Sequence, residues 1–227
     1  FMSASPQVPC KLARPDTTSR GWGQVRWLKR ASYDTILLST VMPRSEACTW
    51  EGHKIGSLLR TQRALVVRRL KPLGPLSVAS IYVPNGGRDF VGKIGFLRAL
   101  QAYVVSARAI GRSLVLCGDL NVARTERDVH VDDRNPRAIG QRPEERALFE
   151  QLLEAGGLRD VTRDLDPHNG ALFTWWAPWR NLRQRNLGWR LDYVLANGML
   201  AERATSFRVL RDSGTSDHGA VVVDFKD

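Results

Sequence analysis

The sequence predicts a layered α/β sandwich built as a single domain. Four consecutive apolar residues, Leu114–Cys117, are typical of a strand that is buried on both faces. Helical and strand-like patterns alternate early in the chain, and strand-like patterns dominate its last part, which favours a layered sandwich over a simple Rossmann order. With 227 residues, the chain is long enough to bury one large core.

The first half of the chain is predicted to alternate short strands with helices. Residues 1–20 contain three prolines and no clear period, so we expect an irregular lead-in there. The spacing of apolar residues predicts a helix over Phe90–Ala109, and the open loop 84–87 should precede it. The other predicted elements are a helix over Gln24–Ala31 and strands over Asp34–Val41, Leu65–Arg69 and Leu76–Val83.

The second half is predicted to contain one long loop, one helix and several strands. Residues 123–141 are rich in charge and turn formers, which predicts a long surface loop, and loops of that length are usually functional or disordered. A helix should begin at Pro143, followed by acidic residues, and end at Gly156-Gly157. The remaining predicted strands are Leu172–Trp176, Leu191–Leu195, Ala204–Val209 and Val221–Phe225.

The composition indicates a partner that carries negative charge. The net charge is +11, and arginine, whose forked side chain suits phosphate groups, far outnumbers lysine. A solvated basic surface or a coding bias toward arginine is the alternative explanation. We expect a monomeric domain that binds nucleic acid, with DNA favoured over RNA, and that binds no membrane.

The cysteines and the hydropathy give expectations about the compartment. Cys10, Cys48 and Cys117 form no CxxC motif, so neither a disulfide framework nor a zinc site is indicated, and a reducing compartment is the simplest inference. No apolar run approaches the roughly 18 residues that a membrane span needs. We expect an intracellular protein of the bacterial cytoplasm; the basic, serine-containing first 33 residues leave a mitochondrial transit segment as the alternative.

Polar residues at predicted strand ends are candidates for catalysis. Asp119 and Asn121 follow the central apolar run, and Asp192 and the pair Asp217-His218 follow later in the chain. Each motif alone is also typical of an ordinary turn, so the weight rests on their conjunction. Phosphodiester hydrolysis requires a group that orients water, a cation and help for the leaving oxygen, and these side chains can supply such groups. Tyr82, either a phosphate donor or an ordinary strand residue, ends a neighbouring strand.

A short segment mixes tryptophans with arginines. It contains Trp175, Trp176, Trp179 and Trp189 together with Arg180, Arg183, Arg185 and Arg190. Aromatic rings stack on bases or sugars while arginines neutralise phosphates, so this composition favours contact with nucleic acid. Core packing explains one or two of the tryptophans but not the whole mixture.

Six ordered motifs resemble the exonuclease III type of abasic-site endonuclease, in the endonuclease/exonuclease/phosphatase superfamily. The motifs are Ile81–Gly86, Gly118–Ala123, Thr125–Val129, Phe173–Trp176, Arg185–Tyr193 and Ser216–His218, and they cover roughly residues 60–227. The resemblance implies a four-layered α/β sandwich of two packed mixed sheets with helices outside. It also implies Mg²⁺-dependent cleavage of DNA 5′ to an abasic site, often with 3′ to 5′ exonuclease activity.

The resemblance assigns roles to residues of the matching motifs. Asp119 would orient or activate water, Asn121 would hold the phosphate, and Tyr82 would contact it. Asp192 would support His218, and Asp217 would lie beside the metal. The residues that would bind the substrate, including the pocket for a flipped-out abasic sugar, are Trp175, Asn186, Trp189, Arg190 and Leu191.

The first third of the chain departs from the family pattern. Thr40 stands where the resemblance implies the glutamate that is the chief metal ligand, and a hydroxyl does not replace a carboxylate in a Mg²⁺ site. Asp16 and Glu46 are the other candidate ligands in this region. We therefore expect Mg²⁺ or Mn²⁺ to bind weakly or not at all.

Three hypotheses follow. The first is an abasic-site nuclease of DNA repair whose activity is impaired by the loss of the glutamate. The second is a catalytically degenerate relative that binds DNA or RNA as a structural or assembly component. The third, a phosphoesterase acting on a small or lipid substrate, fits the superfamily but not the charge of +11.

Overall fold

The computed structural model describes residues 26–30, 33–38, 64–68, 76–212 and 216–226. The strands are β1 (Arg26–Arg30), β2 (Tyr33–Leu38), β3 (Ala64–Arg68), β4 (Leu76–Tyr82), β5 (Ser113–Asp119), β6 (Leu158–Asp160), β7 (Asp192–Asn197), β8 (Ala204–Leu210) and β9 (Ala220–Phe225). The helices are α1 (Phe90–Ala109), α2 (Pro143–Gly156), α3 (Val161–Leu165) and α4 (Gly198–Ala201).

The described strands form two sheets. One has the order β1-β2-β9-β8 and is antiparallel throughout. The other has the order β3-β4-β5-β7-β6 and is mixed, because β4 and β5 run parallel while the remaining neighbours are antiparallel. The long helix α1 connects the two parallel strands, as such a crossover requires.

The mixed sheet is covered on both faces, which confirms the prediction for its central strand. Along β5 the side chains alternate: Leu114 and Leu116 face a core that includes α1 and α2, whereas Val115 and Cys117 face a core that includes β9. Leu116 and Val115 are both fully buried. The sequence-predicted α/β sandwich is therefore confirmed, with helices, mixed sheet and antiparallel sheet in successive layers.

The two long helices follow from local sequence signals. Asp89 caps α1, its Oδ1 accepting a hydrogen bond from the Gly92 N–H at 2.7 Å. Helix α2 begins with Pro143 and ends at Gly157, whose φ of 59° is the left-handed conformation that favours glycine. Both helices have the bounds predicted from the sequence to within one residue.

Two predicted elements are wrong in the structure, and a third, the long loop, is more ordered than expected. Residues Arg26–Arg30, expected to be helical, form β1 and pair with β2 across the edge of the sheet, because tertiary pairing outweighs a short helical pattern. The loop 123–141 is no bare surface loop, since it contains two 3₁₀ turns and buries Asp128. The predicted strand Leu172–Trp176 contributes only isolated bridges at Trp175.

Other predictions lie outside the described residues. These are the lead-in over residues 1–20, the candidate transit segment and a helical layer outside the antiparallel sheet. Within the described ranges, no helix is both long and apolar enough to cross a membrane.

Candidate active site

Three neighbouring strands of the mixed sheet bring predicted site residues into one row. Tyr82, the last residue of β4, lies opposite Asp119, the last residue of β5, and Asp119 lies opposite Asp192, the first residue of β7. Such neighbours are about 5 Å apart across a sheet. Gly118 prepares this end of β5, because its φ of +122° and its close approach to the Ile81 carbonyl leave no room for a side chain.

Asn121 fixes the carboxylate of Asp119. Its backbone N–H donates to Oδ1 of Asp119 at 2.8 Å, and its side-chain Nδ2 donates to Oδ2 at 2.9 Å. The same Nδ2 donates to the Val83 carbonyl at 2.8 Å, so both amide protons have partners within the protein. Asn121 therefore holds Asp119, and its contact with phosphate stays a prediction.

His218 connects the two carboxylates of the row. Its Nδ1 lies 2.8 Å from Oδ2 of Asp192, and its Nε2 lies 4.0 Å from Oδ2 of Asp119. A carboxylate that accepts the proton on Nδ1 leaves Nε2 as the ring nitrogen that faces the site. We call Tyr82, Asp119, Asn121, Asp192 and His218 the edge cluster.

The proximity of two buried carboxylates controls the electrostatics of the edge cluster. Burial, together with the nearby charge of Asp192, raises the pKa of Asp119 to about 7. Burial lowers the pKa of His218, but the hydrogen bond and charge of Asp192 outweigh this and raise it to about 9. Burial and the charge of Asp119 likewise raise the pKa of Tyr82. The edge cluster therefore combines a carboxyl group whose pKa is near neutral pH with an imidazole that favours its protonated, charged form.

The predicted aromatic residues lie beside the edge cluster. The rings of Trp175 and Trp189 meet edge to face, with their centroids 5.9 Å apart. The Trp175 indole N–H donates to Oδ2 of Asp217 at 2.8 Å, and Trp175 also forms a backbone bridge with His218. The Trp189 indole N–H donates to Oδ2 of Asp133 at 3.1 Å. Two partly exposed rings are thus held in fixed orientations, and Trp175 lies next to His218.

The tryptophan-arginine segment divides between core and surface. Trp176 is buried, whereas Trp179 is 58% exposed. The Arg183 guanidinium lies over the Trp176 ring, 5.0 Å from its centroid. Core packing therefore explains Trp176, and Trp179 remains available to a partner.

Three residues predicted to bind substrate have other contacts in the structure. Arg190 is 1% exposed, and its guanidinium pairs with Asp128 at 2.8 Å and with Asp160 at 2.7 Å. Leu191 is buried. The Asn186 side chain accepts from the Trp176 indole N–H and donates to the Ala171 carbonyl. These contacts place all three residues against partners within the protein, and their contact with substrate stays a prediction.

Arg190 belongs to a buried group of charges that lies behind the site. Oδ1 of Asp128 accepts from both Arg190 and Arg163, and Oδ2 of Asp160 pairs with Arg190 and more distantly with Arg124. Burial raises the pKa of Asp128, but the charges and hydrogen bonds of Arg190 and Arg163 outweigh this and lower it. We call these five residues the arginine cluster.

A buried ion pair that the sequence reasoning missed supports Asn121. Lys93 on α1 is fully buried and pairs with Glu145 on α2 at 2.5 Å. Its Nζ also donates to the Asn121 carbonyl at 2.7 Å and to the Asn85 carbonyl at 3.0 Å. Asn121 has a φ of 51°, so the lysine stabilises an uncommon backbone conformation there. The signal was available, because Lys93 falls in the apolar series of α1, where a charge requires a partner.

Thr174 is a second positioning residue that the sequence reasoning missed. Its Oγ1 accepts hydrogen bonds from the backbone N–H groups of Leu191 and Asp192, both at 3.0 Å. The hydroxyl thereby fixes the start of β7, where Asp192 meets His218. Its position in the motif Phe173–Trp176 was the only sequence signal.

Of the expected metal ligands, only Asp217 belongs to the described residues. Among the described residues, no group of three or more His, Cys, Asp or Glu side chains is placed to hold a metal ion. Asp217 is exposed beside the edge cluster, with one carboxylate oxygen bound to Trp175. Asp16, Thr40 and Glu46 lie outside the described residues. The described residues offer oxygen donors that suit a hard cation but not a complete site.

The fold and the edge cluster define a class of protein. A family model described as the Endonuclease/Exonuclease/phosphatase family matches residues 12–218. The chain therefore belongs to the Endonuclease/Exonuclease/phosphatase family, and membership is consistent with a divalent-cation cofactor.

Particular relatives are nucleases. DNA repair nuclease APEX1 of Danio rerio is 37% identical over 145 residues, which are 62% of this chain and 46% of the relative. The exodeoxyribonuclease of Bacillus subtilis is 32% identical over 144 residues, 62% of this chain and 56% of the relative. The chain thus spans about half the length of these relatives.

A solved structure shows the same fold. The AP endonuclease from Archaeoglobus fulgidus has a TM-score of 0.62 and is 30% identical, and the match covers 70% of this chain and 64% of that one.

Proposed function

We propose that the chain is a DNA nuclease that cleaves phosphodiesters at abasic sites and trims 3′ ends. The observation that carries the proposal is the geometry of the edge cluster, in which His218 joins Asp192 at 2.8 Å and faces Asp119 at 4.0 Å. The similarity to a DNA repair nuclease and to an exodeoxyribonuclease supports DNA as the substrate.

Asp119 is the residue proposed to orient the attacking water. Two hydrogen bonds from Asn121 fix both oxygens of its carboxylate, so the group is pre-organised. Its pKa of about 7 leaves it able to accept a proton near neutral pH, as a general base must. The water would sit between Asp119 and the scissile phosphorus.

His218 is proposed to stabilise the charge that develops on the phosphate. Asp192 fixes the orientation of the ring through Nδ1, so Nε2 is the nitrogen that would donate to a non-bridging oxygen. The Tyr82 hydroxyl, next along the sheet edge, would contact a second oxygen of the same phosphate. Tyr82 and Asp119 end neighbouring strands, and His218 approaches Asp119 from the segment before β9, so the three groups are proposed to meet one phosphate.

Trp175 and Trp189 are proposed to form one wall of a pocket for the abasic nucleotide. Their rings are fixed by hydrogen bonds to Asp217 and Asp133, so little rotamer freedom is lost when substrate binds. An abasic nucleotide lacks base stacking and costs little to extrude from the duplex. The pocket therefore selects the damaged nucleotide by the ease of its extrusion.

Asp217 is the residue within the described part of the chain that would hold a magnesium ion, with Asp16 and Glu46 as the further proposed ligands. When bound, Mg²⁺ would neutralise phosphate oxygens and assist departure of the 3′ oxygen. We also propose that the protein acts as a monomer inside the cell.

An incision assay on an abasic duplex, with Mg²⁺ and Mn²⁺ titrations, tests the proposal. We expect metal-dependent cleavage that falls roughly 10²–10⁴-fold in an Asp119→Asn variant. The matched control is Asp212→Asn, which changes an exposed aspartate in a surface ion pair and should leave the rate unchanged. Equal loss in both variants, or cleavage unaffected by Asp119→Asn, would contradict the assigned role.

A second function is favoured by the residue at position 40. Thr40 replaces the glutamate expected as chief metal ligand, which supports a degenerate relative that binds DNA or RNA without turnover. In that case the chain would bind abasic duplex or RNA with an affinity that falls steeply with salt, and no metal would produce cleavage. A Thr40→Glu variant separates the two functions, because restored cleavage would identify the missing carboxylate as the cause.

A further inference from the structure

A cavity lies beside the arginine cluster. Its volume is about 540 Å³, and five of its nine lining residues, all within the described part of the chain, are arginines. These are Arg124, Arg127, Arg134, Arg163 and Arg190. We call this cavity the arginine pocket. Its lining contains no member of the edge cluster, so it is separate from the proposed catalytic centre.

Three of the five arginines are neutralised by carboxylates. Arg190 pairs with Asp128 and Asp160, and Arg163 pairs with Asp128 at 2.7 Å. Arg124 makes a forked contact with Glu150, at 2.6 and 2.9 Å. These arginines form a rigid wall whose charge is already compensated.

The other two arginines are held in place without being neutralised. Arg127 donates from Nη1 to the Pro167 carbonyl at 2.5 Å, and Arg134 donates from Nε to the Glu126 carbonyl at 3.0 Å. Carbonyl oxygens are neutral, and within the described ranges neither guanidinium forms an ion pair. Each arginine therefore keeps its full charge and has N–H groups that no described residue accepts.

We propose that the arginine pocket binds a phosphate group through Arg127 and Arg134. Guanidinium groups match phosphate oxygens with paired hydrogen bonds, and the backbone anchors lower the entropy lost on binding. The phosphate group belongs either to a nucleic-acid strand that extends beyond the catalytic centre or to a free phosphate compound. The inference goes beyond the proposed function, since it requires neither cleavage nor a metal.

The carboxylate of Glu126 also lines the arginine pocket and should oppose the binding of a phosphate group, which can be tested. Glu126 is exposed and has no cationic partner among the described residues, so it repels an anion in the pocket. An E126Q variant keeps the backbone carbonyl that anchors Arg134 and removes this negative charge. The variant should bind a phosphate group more tightly than the wild type.

The experiment measures binding of inorganic phosphate to the full chain by calorimetry, in metal-free buffer. The double variant R127Q/R134Q should lose about tenfold in affinity, because each charge-assisted hydrogen bond is worth more than a neutral one. The matched control is R98Q/R211Q, which removes the same charge from two arginines that do not line the pocket. Control and wild type should bind phosphate alike.

A second arm measures binding of an undamaged duplex as salt is varied, which identifies the source of the phosphate. If the strand occupies the pocket, R127Q/R134Q weakens duplex binding more than R98Q/R211Q does and lowers the salt slope by about 2. If a free compound occupies it, only phosphate binding changes; either result supports the pocket. Phosphate binding that is equal in both double variants, or unchanged by E126Q, would overturn it. Neither arm depends on incision.

Discussion

The edge cluster and the arginine cluster contain the same kind of carboxylate pair in opposite electrostatic surroundings. Asp119 and Asp192 are 2% and 3% exposed and share one histidine, while Asp128 and Asp160 are as deeply buried and share Arg190. The pKa of Asp119 rises to about 7, whereas the pKa of Asp128 falls below its usual value. Burial is similar in the two places, so the charges around each carboxylate decide whether its pKa rises or falls.

The two clusters are connected through the short segment 189–192. The Trp189 ring packs against Trp175 beside the edge cluster. Arg190 belongs to the arginine cluster, and Asp192, two residues later, begins β7. The buried ion pairs of Arg190 therefore anchor the segment that brings Asp192 to His218 in the edge cluster.

Removing Arg190 should have the largest effect on stability. An Arg190→Met variant leaves Asp128 and Asp160 buried without their main cation, and breaking a buried pair in this way costs about 3–5 kcal/mol. Urea unfolding measures the change in free energy. The control is Arg159→Met, which removes a 46% exposed arginine paired with Asp164 and should cost less than about 1 kcal/mol. Equal costs would show that the arginine cluster contributes no more than a surface pair.

Removing His218 should affect the rate and leave the fold intact. A His218→Asn variant loses the donor that faces Asp119, and we expect an incision rate lower by about 10²-fold, which is about 2.7 kcal/mol. The melting temperature should fall less than in Arg190→Met, because the His218 side chain is 16% exposed and an asparagine amide can still donate a hydrogen bond to Asp192. His168→Asn is the control, since His168 is exposed. A loss of stability that parallels the loss of rate would assign His218 to the structural cluster instead.

The edge cluster was largely predictable because its residues lie at or near strand ends. Asp119, Asn121, Asp192 and His218 were each recognised from local motifs, and sheet register places Tyr82, Asp119 and Asp192 side by side. The arginine cluster was not predictable in this way. Asp128 and Arg190 are 62 positions apart, and nothing local to Arg190 distinguishes a substrate contact from a buried pair.

Helix α1 and strand β1 show the same limit of prediction from local sequence. The long helix α1 was predicted with its correct bounds, because its period extends over 20 residues. Strand β1 was predicted as a helix, because five residues contain too little period and pairing with β2 decided the outcome. Local patterns therefore predict long elements and strand-end motifs, whereas short elements and charge partners depend on distant residues.

Lowering the pH should change the stability contributions of the two clusters in opposite directions. The pKa of Asp128 is lower in the folded chain, so its contribution is full above the unfolded value of about 4 and is lost as pH falls through the folded value. Asp119 acts in the opposite sense, because its raised pKa makes the folded state bind protons between about 4 and 7. Stability measured by urea unfolding should therefore fall below pH 4 in the wild type. An Asp128→Asn variant should show a shallower fall, and an unchanged slope would exclude Asp128 as its source.

The smallest effect is expected at a carboxylate that lies outside both clusters. Asp133 accepts the Trp189 indole N–H at 3.1 Å in an exposed position, where a hydrogen bond is worth about 1 kcal/mol. An Asp133→Ala variant should raise the KM for abasic duplex by up to about fivefold, with little change in kcat, because the ring loses orientation but Asp119 and His218 stay in place. Asp132→Ala, which changes the neighbouring exposed carboxylate, controls for the lost charge. If kcat fell as far as in His218→Asn, the orientation of Trp189 would belong to the chemical step, and the exposed Asp133 would act together with the edge cluster.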